Sequence, residues 1–394
     1  MNMTFQKATP ILQNLEQAGY EAYFVGGSVR DSILGKDIAD IDIATSATPE
    51  EIKTIFDRTI DVGIEHGTII VLYEGVPYEV TTFRTESEYV DYRRPSEVQF
   101  IRSLDEDLQR RDFTMNAIAL NKDGRFIDPY GGVQAIKDKI IQTVGKAEER
   151  FTEDALRMMR ALRFHSQLQF EIEIHTYEAL KTKGSLLTHI AVERKLAEFN
   201  KLLIGRNRKR ALKCLTETGL YLYLPDLSSR LDQLLKLEKY DYTELSLEEM
   251  WVLLLQVFEM TEDGRKAFLR SWRLPGKKAK YINQLSEWLE YRLTAKFNHI
   301  SLYQAGEQAA ISANRLYEVI TGQKSDQQAY ELTAAYGQLP ITDRSHLNVS
   351  GNDLIHWFNL PAGPWIKEEL DRVEKAVVTR EIENTKHAIR EWLL

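Results

Sequence analysis

Gly26-Gly27-Ser28-Val29-Arg30-Asp31 is followed, after eight residues, by Asp40-Ile41-Asp42. A Gly-Gly turn that opens a helix at Ser28 bares backbone N–H groups and a positive dipole end, which suits a chain of phosphates, and Arg30 adds a charged fork. Two aspartates two apart on a strand project from one face, so Asp40 and Asp42 can hold hard cations such as magnesium side by side. Two such ions activate an attacking hydroxyl and steady a departing phosphate. Taken singly, the first segment also reads as an ordinary strand-to-helix turn and the second as an exposed strand face.

Two further segments carry chemistry. In Arg110-Arg111-Asp112-Phe113-Thr114-Met115-Asn116-Ala117, Arg111 can fork onto phosphate, and Asp112 or Asn116 can hydrogen-bond a ribose hydroxyl. Alone, the stretch is a helix start of mixed charge. In Glu153-Asp154-Ala155-Leu156-Arg157-Met158-Met159-Arg160-Ala161-Leu162-Arg163, the spacing predicts a helix on which Asp154 and Arg157 stand side by side, one acceptor beside one donor. Cytosine and adenine each offer an amino donor beside a ring-nitrogen acceptor, and uracil and guanine reverse that pattern. A mismatched base leaves buried groups unpaired, at about 1 to 3 kcal/mol each. Arg160 and Arg163 continue the stripe toward phosphates or a base edge. The bland alternative is an acidic first turn with surface arginines behind it.

These residues need elements to hold them. Pro10, Ile11, Leu12, Leu15 and Ala18 predict a helix face ended by Gly19, Tyr20 to Val25 a strand running into the glycines, and Asp40 to Ile43 another strand. Thr48-Pro49-Glu50-Glu51 spells a helix start with a capping box. Thr68 to Tyr73 and Tyr78 to Arg84 read as a hairpin in which Glu79 is a candidate third carboxylate and equally a solvated strand residue. Residues 85–99, charged and polar with Tyr89, Tyr92 and Pro95, read as a long surface loop. Beyond Gly131-Gly132 the pattern turns helical, as at Glu153 to Phe164, Val192 to Leu203, Glu248 to Phe258 and Leu370 to Val377. Turn-rich stretches near Gly205, Leu274-Pro275-Gly276 and Leu339-Pro340 are candidate module boundaries.

In order and spacing these segments resemble motifs A, B and D of the nucleotidyltransferases related to DNA polymerase β, and more specifically the class II CCA-adding enzymes and bacterial poly(A) polymerases. Asp128-Pro129-Tyr130-Gly131-Gly132 is similar to motif C, the joint between head and neck, with Ala135 where relatives often carry Asp. Glu193-Arg194 is similar to motif E, a bracing helix, with Lys195 in place of the usual apolar residue. The resemblance implies an α+β fold: a polymerase β-like head at 1–125, then an all-α neck at 126–205, body at 206–300 and tail at 301–394. It implies Asp40 and Asp42 as catalytic ligands of Mg2+. It implies that nucleotide is bound by Gly27, Arg30, Arg111, Asp154, Arg157, Arg160 and Arg163. The implied reaction is template-independent CCA addition to tRNA from CTP and ATP with release of pyrophosphate, often by a homodimer. The segment at 85–99 matches the family's flexible loop, which argues against an enzyme restricted to adding C. Alternatives are a poly(A) polymerase, an enzyme adding only the terminal A, or a non-catalytic tRNA-binding protein.

Bulk properties set limits. The 394 residues suffice for two to three domains at about 150 each. A net charge of −8 argues against coating nucleic acid or anionic membrane through bulk positive charge, so an RNA site must be local. Two acid-free basic clusters qualify: Lys201, Arg206, Arg208, Lys209, Arg210 and Lys213; and Arg265, Lys266, Arg270, Arg273, Lys277, Lys278 and Lys280. Trp272 and Tyr281 stand beside the second for base stacking, and a solvated helix face is the equal alternative. One cysteine, Cys214, fits a reducing cytosol, and no segment reads as a signal peptide or membrane span, so a cytoplasmic location is expected. None of the eight histidines falls in a motif, and His66, the nearest, is read as structural.

Overall fold

The computed structural model describes residues 2–38, 40–63, 67–86, 89–90, 94–95 and 98–394. His66 and Tyr92 lie outside the described residues. The chain forms two compact units, Met1–Leu235 and Lys236–Leu394.

The first unit opens with α1 (Met3–Gln17), whose Phe5, Ala8, Ile11, Leu12 and Leu15 are buried. It begins well before the predicted face and carries Pro10 inside it. Strand β1 (Ala22–Val25) leads through Gly26, at φ +73°, into α2 (Gly27–Ile33). Next come β2 (Asp42–Thr45) and α3 (Pro49–Ile55) with its expected capping box. There Thr48 N donates to Glu51 Oε2 at 2.7 Å and Glu51 N to Thr48 Oγ1 at 3.3 Å. The strands β3 (Thr59–Gly63), β4 (Thr68–Tyr73) and β5 (Val76–Thr82) follow. The β4–β5 hairpin turns on Glu74-Gly75 alone, both at positive φ, a tighter turn than the four residues predicted. With β10 (Ala119–Leu120) and β11 (Phe126–Ile127) the sheet has the order β11-β10-β1-β2-β5-β4-β3, in which β2 and β5 run parallel.

The segment read as a loop is instead paired wherever it is described. β6 (Arg84–Glu86) pairs with β9 (Val98–Phe100), and β7 (Tyr89–Val90) with β8 (Arg94–Pro95). Ladder bonds join backbones, so a polar composition hides such a ribbon from pattern reading.

A short α4 (Leu104–Gln109) precedes a 3-10 turn at Thr114–Asn116. Helix α5 (Gly132–Asp138) is capped by Asp128, whose carboxylate accepts from Gly132 N at 2.6 Å and Val133 N at 2.9 Å. A Cβ on Gly132 would come 2.1 Å from Thr114 O and 2.6 Å from Ile118 Cγ1, so the motif C glycine lets α5 sit directly on motif B. Gly132→Ala is therefore expected to lower the melting temperature and to reduce turnover with it, by forcing these backbones apart. Thermal unfolding that matches the parent would contradict this packing.

Helices α6 (Ala147–Glu153) and α7 (Leu156–Leu168) divide motif D, which was expected to be one helix. Asp154, at φ −130° and ψ 102°, is extended, and its Oδ1 accepts from Leu156 N at 3.0 Å, so it caps the second helix and breaks the first. α8 (Ile174–Lys183), α9 (Val192–Leu203), α10 (Arg208–Glu217) and α11 (Leu231–Lys236) follow. Cys214 is buried, and burial pushes its thiol up to about 12, so it is an unreactive core residue.

The second unit is helical: α12 (Leu247–Val257), α13 (Glu262–Ser271), α14 (Gly276–Thr294), α15 (His299–Ala305), α16 (Glu307–Thr321), α17 (Ala329–Gly337), α18 (Gly351–Phe358), α19 (Trp365–Val378) and α20 (Lys386–Leu393). Trp251, Phe258, Phe268 and Trp272 form an aromatic core. No helix among the described residues is long and apolar enough to cross a membrane.

Candidate active site

The parallel register of β2 and β5 sets Asp42 opposite Glu79. Two carboxylates on neighbouring strands repel, and the effect is visible on Asp42. Burial first, then Glu79 and Asp40, push its carboxyl above the ordinary 3.8, while Arg111 pulls the other way. Asp40 lies just before the strand and is exposed, rather than within it as predicted. The glycine turn approaches the same point. A Cβ on Gly26 would stand 3.3 Å from Asp42 Oδ2 and 3.3 Å from Arg111 Nη1. Turn, carboxylate and motif B arginine therefore share one small volume, with the buried Arg111 Nε lacking a protein partner.

This donor set fits a divalent metal. Its atoms are hard carboxylate oxygens, and the crowding of negative charge on Asp42 is what a cation relieves. Among the described residues no three or more carboxylate, histidine or cysteine side chains converge tightly enough to enclose an ion unaided. An open site of this kind leaves positions for water and phosphate oxygens.

Asp107, which pattern reading passed over, anchors the arginines. It is 1% exposed and accepts from Arg110 Nε at 3.0 Å, Arg111 Nη2 at 3.1 Å and Arg84 N at 3.4 Å. Burial alone would raise its carboxyl, and Arg110 and Arg111 together hold it below the ordinary range. The signal was present in the sequence as acid-to-arginine spacings of three and four, from Asp107 on α4 to the two residues just past its end.

The other predicted nucleotide contacts are more committed than expected. Arg30, read as a free fork, donates from Nε and Nη2 to Asp31 at 2.9 Å each and from Nη1 to Asn116 Oδ1 at 2.7 Å. Gly27 sits under it, with Arg30 Nη2 3.5 Å from where a Cβ would be. Asn116 Nδ2 in turn donates to Asp112 at 3.0 Å, and Asp112 also accepts from Phe113 N at 2.8 Å and Arg160 Nε at 2.7 Å. The expected ribose acceptors thus form a buried relay from α2 to α7. Burial would push Asp112 up, yet Arg160 and the Asn116 bond hold it down to about 2. A carboxyl held that low contributes stability at neutral pH that is lost as pH falls from the ordinary value near 3.8 through about 2. Asp112→Asn should therefore melt below the parent at pH 7, with the gap closing across that acid window in pH-dependent thermal unfolding. A gap that does not change with pH would contradict the ion pair.

Asp154 Oδ2 accepts from Arg194 Nη2 at 3.0 Å, which gives the motif E arginine a concrete bracing contact. Arg157 is buried, with Nη1 on Glu153 at 2.7 Å and Arg150 O at 3.2 Å and Nη2 on Arg110 O at 2.8 Å. Asp154 and Arg157 are joined by the backbone bond from Arg157 N to Asp154 O at 3.0 Å. Arg163 pairs with Glu198 at 2.9 Å. Lys195, beside motif E, is buried and donates to Leu187 O and Tyr223 O, both at 3.2 Å, a structural role.

The basic clusters are thinner than the sequence suggests. Arg208 and Arg265 are buried, and Arg210 and Lys278 have acidic partners in Glu171 and Glu248. Trp272 is fully buried and cannot stack on a base. Its place four residues after Phe268, at the C-cap of α13 and in line with the helix's apolar stripe, is the signal that marks it as core.

A mixed sheet that carries carboxylates beside a glycine turn, followed by helices that carry arginines, defines a nucleotidyltransferase of the polymerase type. Residues 22–142 match the poly A polymerase head domain, 169–231 the RNA- and SrmB-binding site of polymerase A, and 244–393 tRNA nucleotidyltransferase domain 2. The chain is 47% identical to the CCA-adding enzymes of Geobacillus sp. (strain WCH70) and Bacillus subtilis (strain 168), covering 100% of this chain and 98% of each relative. It is similar to the crystal structure of the Bacillus stearothermophilus CCA-adding enzyme in complex with CTP, with a TM-score of 0.91 and 46% identity over 100% of this chain and 97% of that one. The Thermotoga maritima CCA-adding enzyme complexed with tRNA shares the fold, with a TM-score of 0.64 and 18% identity over 100% and 96% of the two chains. The chain belongs to the CCA-adding enzymes, the tRNA nucleotidyltransferases.

Proposed function

We propose that this protein adds the CCA sequence to the 3′ end of tRNA without a nucleic-acid template, using CTP and then ATP and releasing pyrophosphate. The observation that carries the reading is the meeting of Asp42, Glu79 and Arg111 at the Gly26 turn. In this proposal Asp40 and Asp42 hold magnesium, with Glu79 beside them as a third carboxylate. Bound there, such ions supply neutralising charge for the attacking 3′ hydroxyl and the departing pyrophosphate. Gly27 offers the helix N-terminus, and Arg30, Arg111, Arg160 and Arg163 face the triphosphate. Asp154 accepts from the amino group of cytosine or adenine while Arg157 donates to the ring nitrogen.

The division into head (1–125), neck (126–205), body (206–300) and tail (301–394) belongs to the same reading, with chemistry in the head, base choice in the neck and tRNA held by the tail. A homodimer in the cytoplasm is the assembly and location proposed, and sedimentation checks the former. The deciding experiment incubates the protein with tRNA ending at the discriminator base and each labelled nucleotide, then sequences the product ends. C, C and A in that order support the reading. Long A tails on unrelated RNA make it a poly(A) polymerase, and binding without extension makes it a tRNA-binding protein; either outcome overturns it.

A further inference from the structure

Phe164 lies on α7, buried, with its ring 5.8 Å from that of Phe113 and the two planes at 87°. Three guanidinium carbons stand over this one ring: Arg163 Cζ at 4.2 Å, Arg30 Cζ at 5.2 Å and Arg160 Cζ at 5.6 Å from its centroid. All are inside the reach of about 6 Å over which an aromatic face attracts a cation. The three arginines come from two helices distant in sequence, and each has its own acid: Asp31, Asp112 and Glu198.

Three like charges around one ring oppose one another. Burial first, then Arg160, lower the Arg163 guanidinium to about 10; Glu198 and Asp112 oppose the shift, and Arg30 adds to it. The acids neutralise this group but bind its members singly. Phe164 is the contact that all three share, and it also joins motif B to α7 through Phe113, beside the Asp112–Arg160 pair.

We propose that Phe164 is a positioning residue for the incoming nucleotide: its π face fixes the directions in which Arg30, Arg160 and Arg163 present their remaining N–H donors to a nucleoside triphosphate. This deepens the reading above and rests on it. The consequence is specific. Loss of the ring's electrostatics weakens CTP and ATP alike and leaves the choice of base intact, because neither Asp154 nor Arg157 is among the cations over this ring.

The test replaces Phe164 in the full chain with phenylalanines bearing one, two and three ring fluorines, which keep ring shape and apolar packing while progressively draining the face of negative potential. The dissociation constants of CTP and of ATP are measured by calorimetry, which needs no turnover, and tRNA extension is measured in parallel. Affinity should fall stepwise, by about tenfold at three fluorines. The ratio of CTP to UTP incorporation should hold. Affinity that stays flat across the series overturns the role, and so does a loss confined to one nucleotide. Should the parent fail to extend tRNA while CTP affinity still declines with each fluorine, the functional reading falls and the positioning role of Phe164 stands.

Discussion

Asp42→Asn is expected to lower nucleotide addition by roughly 10³-fold or more, while the protein binds tRNA and unfolds at the same or a higher temperature than the parent. The two effects have one cause. Asp42 stands opposite Glu79 in the parallel register and near Asp40, and burial together with these acids raises its carboxyl above 3.8. An acid whose folded value exceeds its unfolded value costs stability once ionised. That cost is absent well below pH 3.8, grows as pH rises from there to the raised value, and is complete at neutral pH. The amide removes the charge and the cost together, and removes a hard oxygen anion that the chemistry needs. Single-turnover extension of tRNA lacking its CCA end, run beside thermal unfolding from pH 3 to 7 (about the span that titrates this group), reads both. Retained turnover would sink the catalytic assignment. A clear drop in melting temperature at neutral pH would sink the electrostatic account.

Replacing Asp154 or Arg157 by alanine is expected to cut discrimination between CTP and UTP by about ten- to a hundredfold, the equivalent of one or two unmet hydrogen bonds. The two variants should differ in stability. Asp154 is half-buried, whereas Arg157 is buried among Glu153, Arg150 O and Arg110 O, so its loss strips a donor from three acceptors. Arg157→Lys separates these roles, because lysine keeps the charge without the planar fork: selectivity should fall as in the alanine variant, with a smaller loss of stability. Incorporation of CTP and UTP from an equimolar mixture, in one turnover, gives the ratio. An unchanged ratio in both alanine variants would refute base reading by this pair.

Local signals were the legible ones. The capping box at Thr48 and Glu51, the β4–β5 hairpin and the helices α9 and α12 follow from neighbours within a few residues, and there the pattern and the structure agree. Contacts between distant segments were not legible. Nothing at Asp154-Ala155 announces a break, since neither glycine nor proline is present. The Asp154 carboxylate makes the break, with Oδ1 capping Leu156 N and Oδ2 fixed by Arg194, which is forty residues away. Arg30 looked free because half of its partners, Asn116, lies eighty-six residues on. Asp112 looked like a ribose acceptor for the same reason, with Arg160 forty-eight residues away. Chemistry-bearing residue types could be listed from the sequence; which of their hydrogen-bonding groups were already spent could not.

Two links between the start of motif B and the motif D helices run from an arginine to a main-chain oxygen: Arg157 Nη2 to Arg110 O at 2.8 Å, and Arg150 Nη1 to the O of Gln109, just before the motif, at 3.2 Å. A peptide carbonyl is the same atom whatever side chain the codon specifies, so mutation at 109 or 110 can alter what projects from this seam without deleting its acceptors. These two bonds are heritable through their arginines alone. Drift at 109 and 110 therefore leaves both bonds intact, whereas a single change at Arg150 or Arg157 removes one of the two.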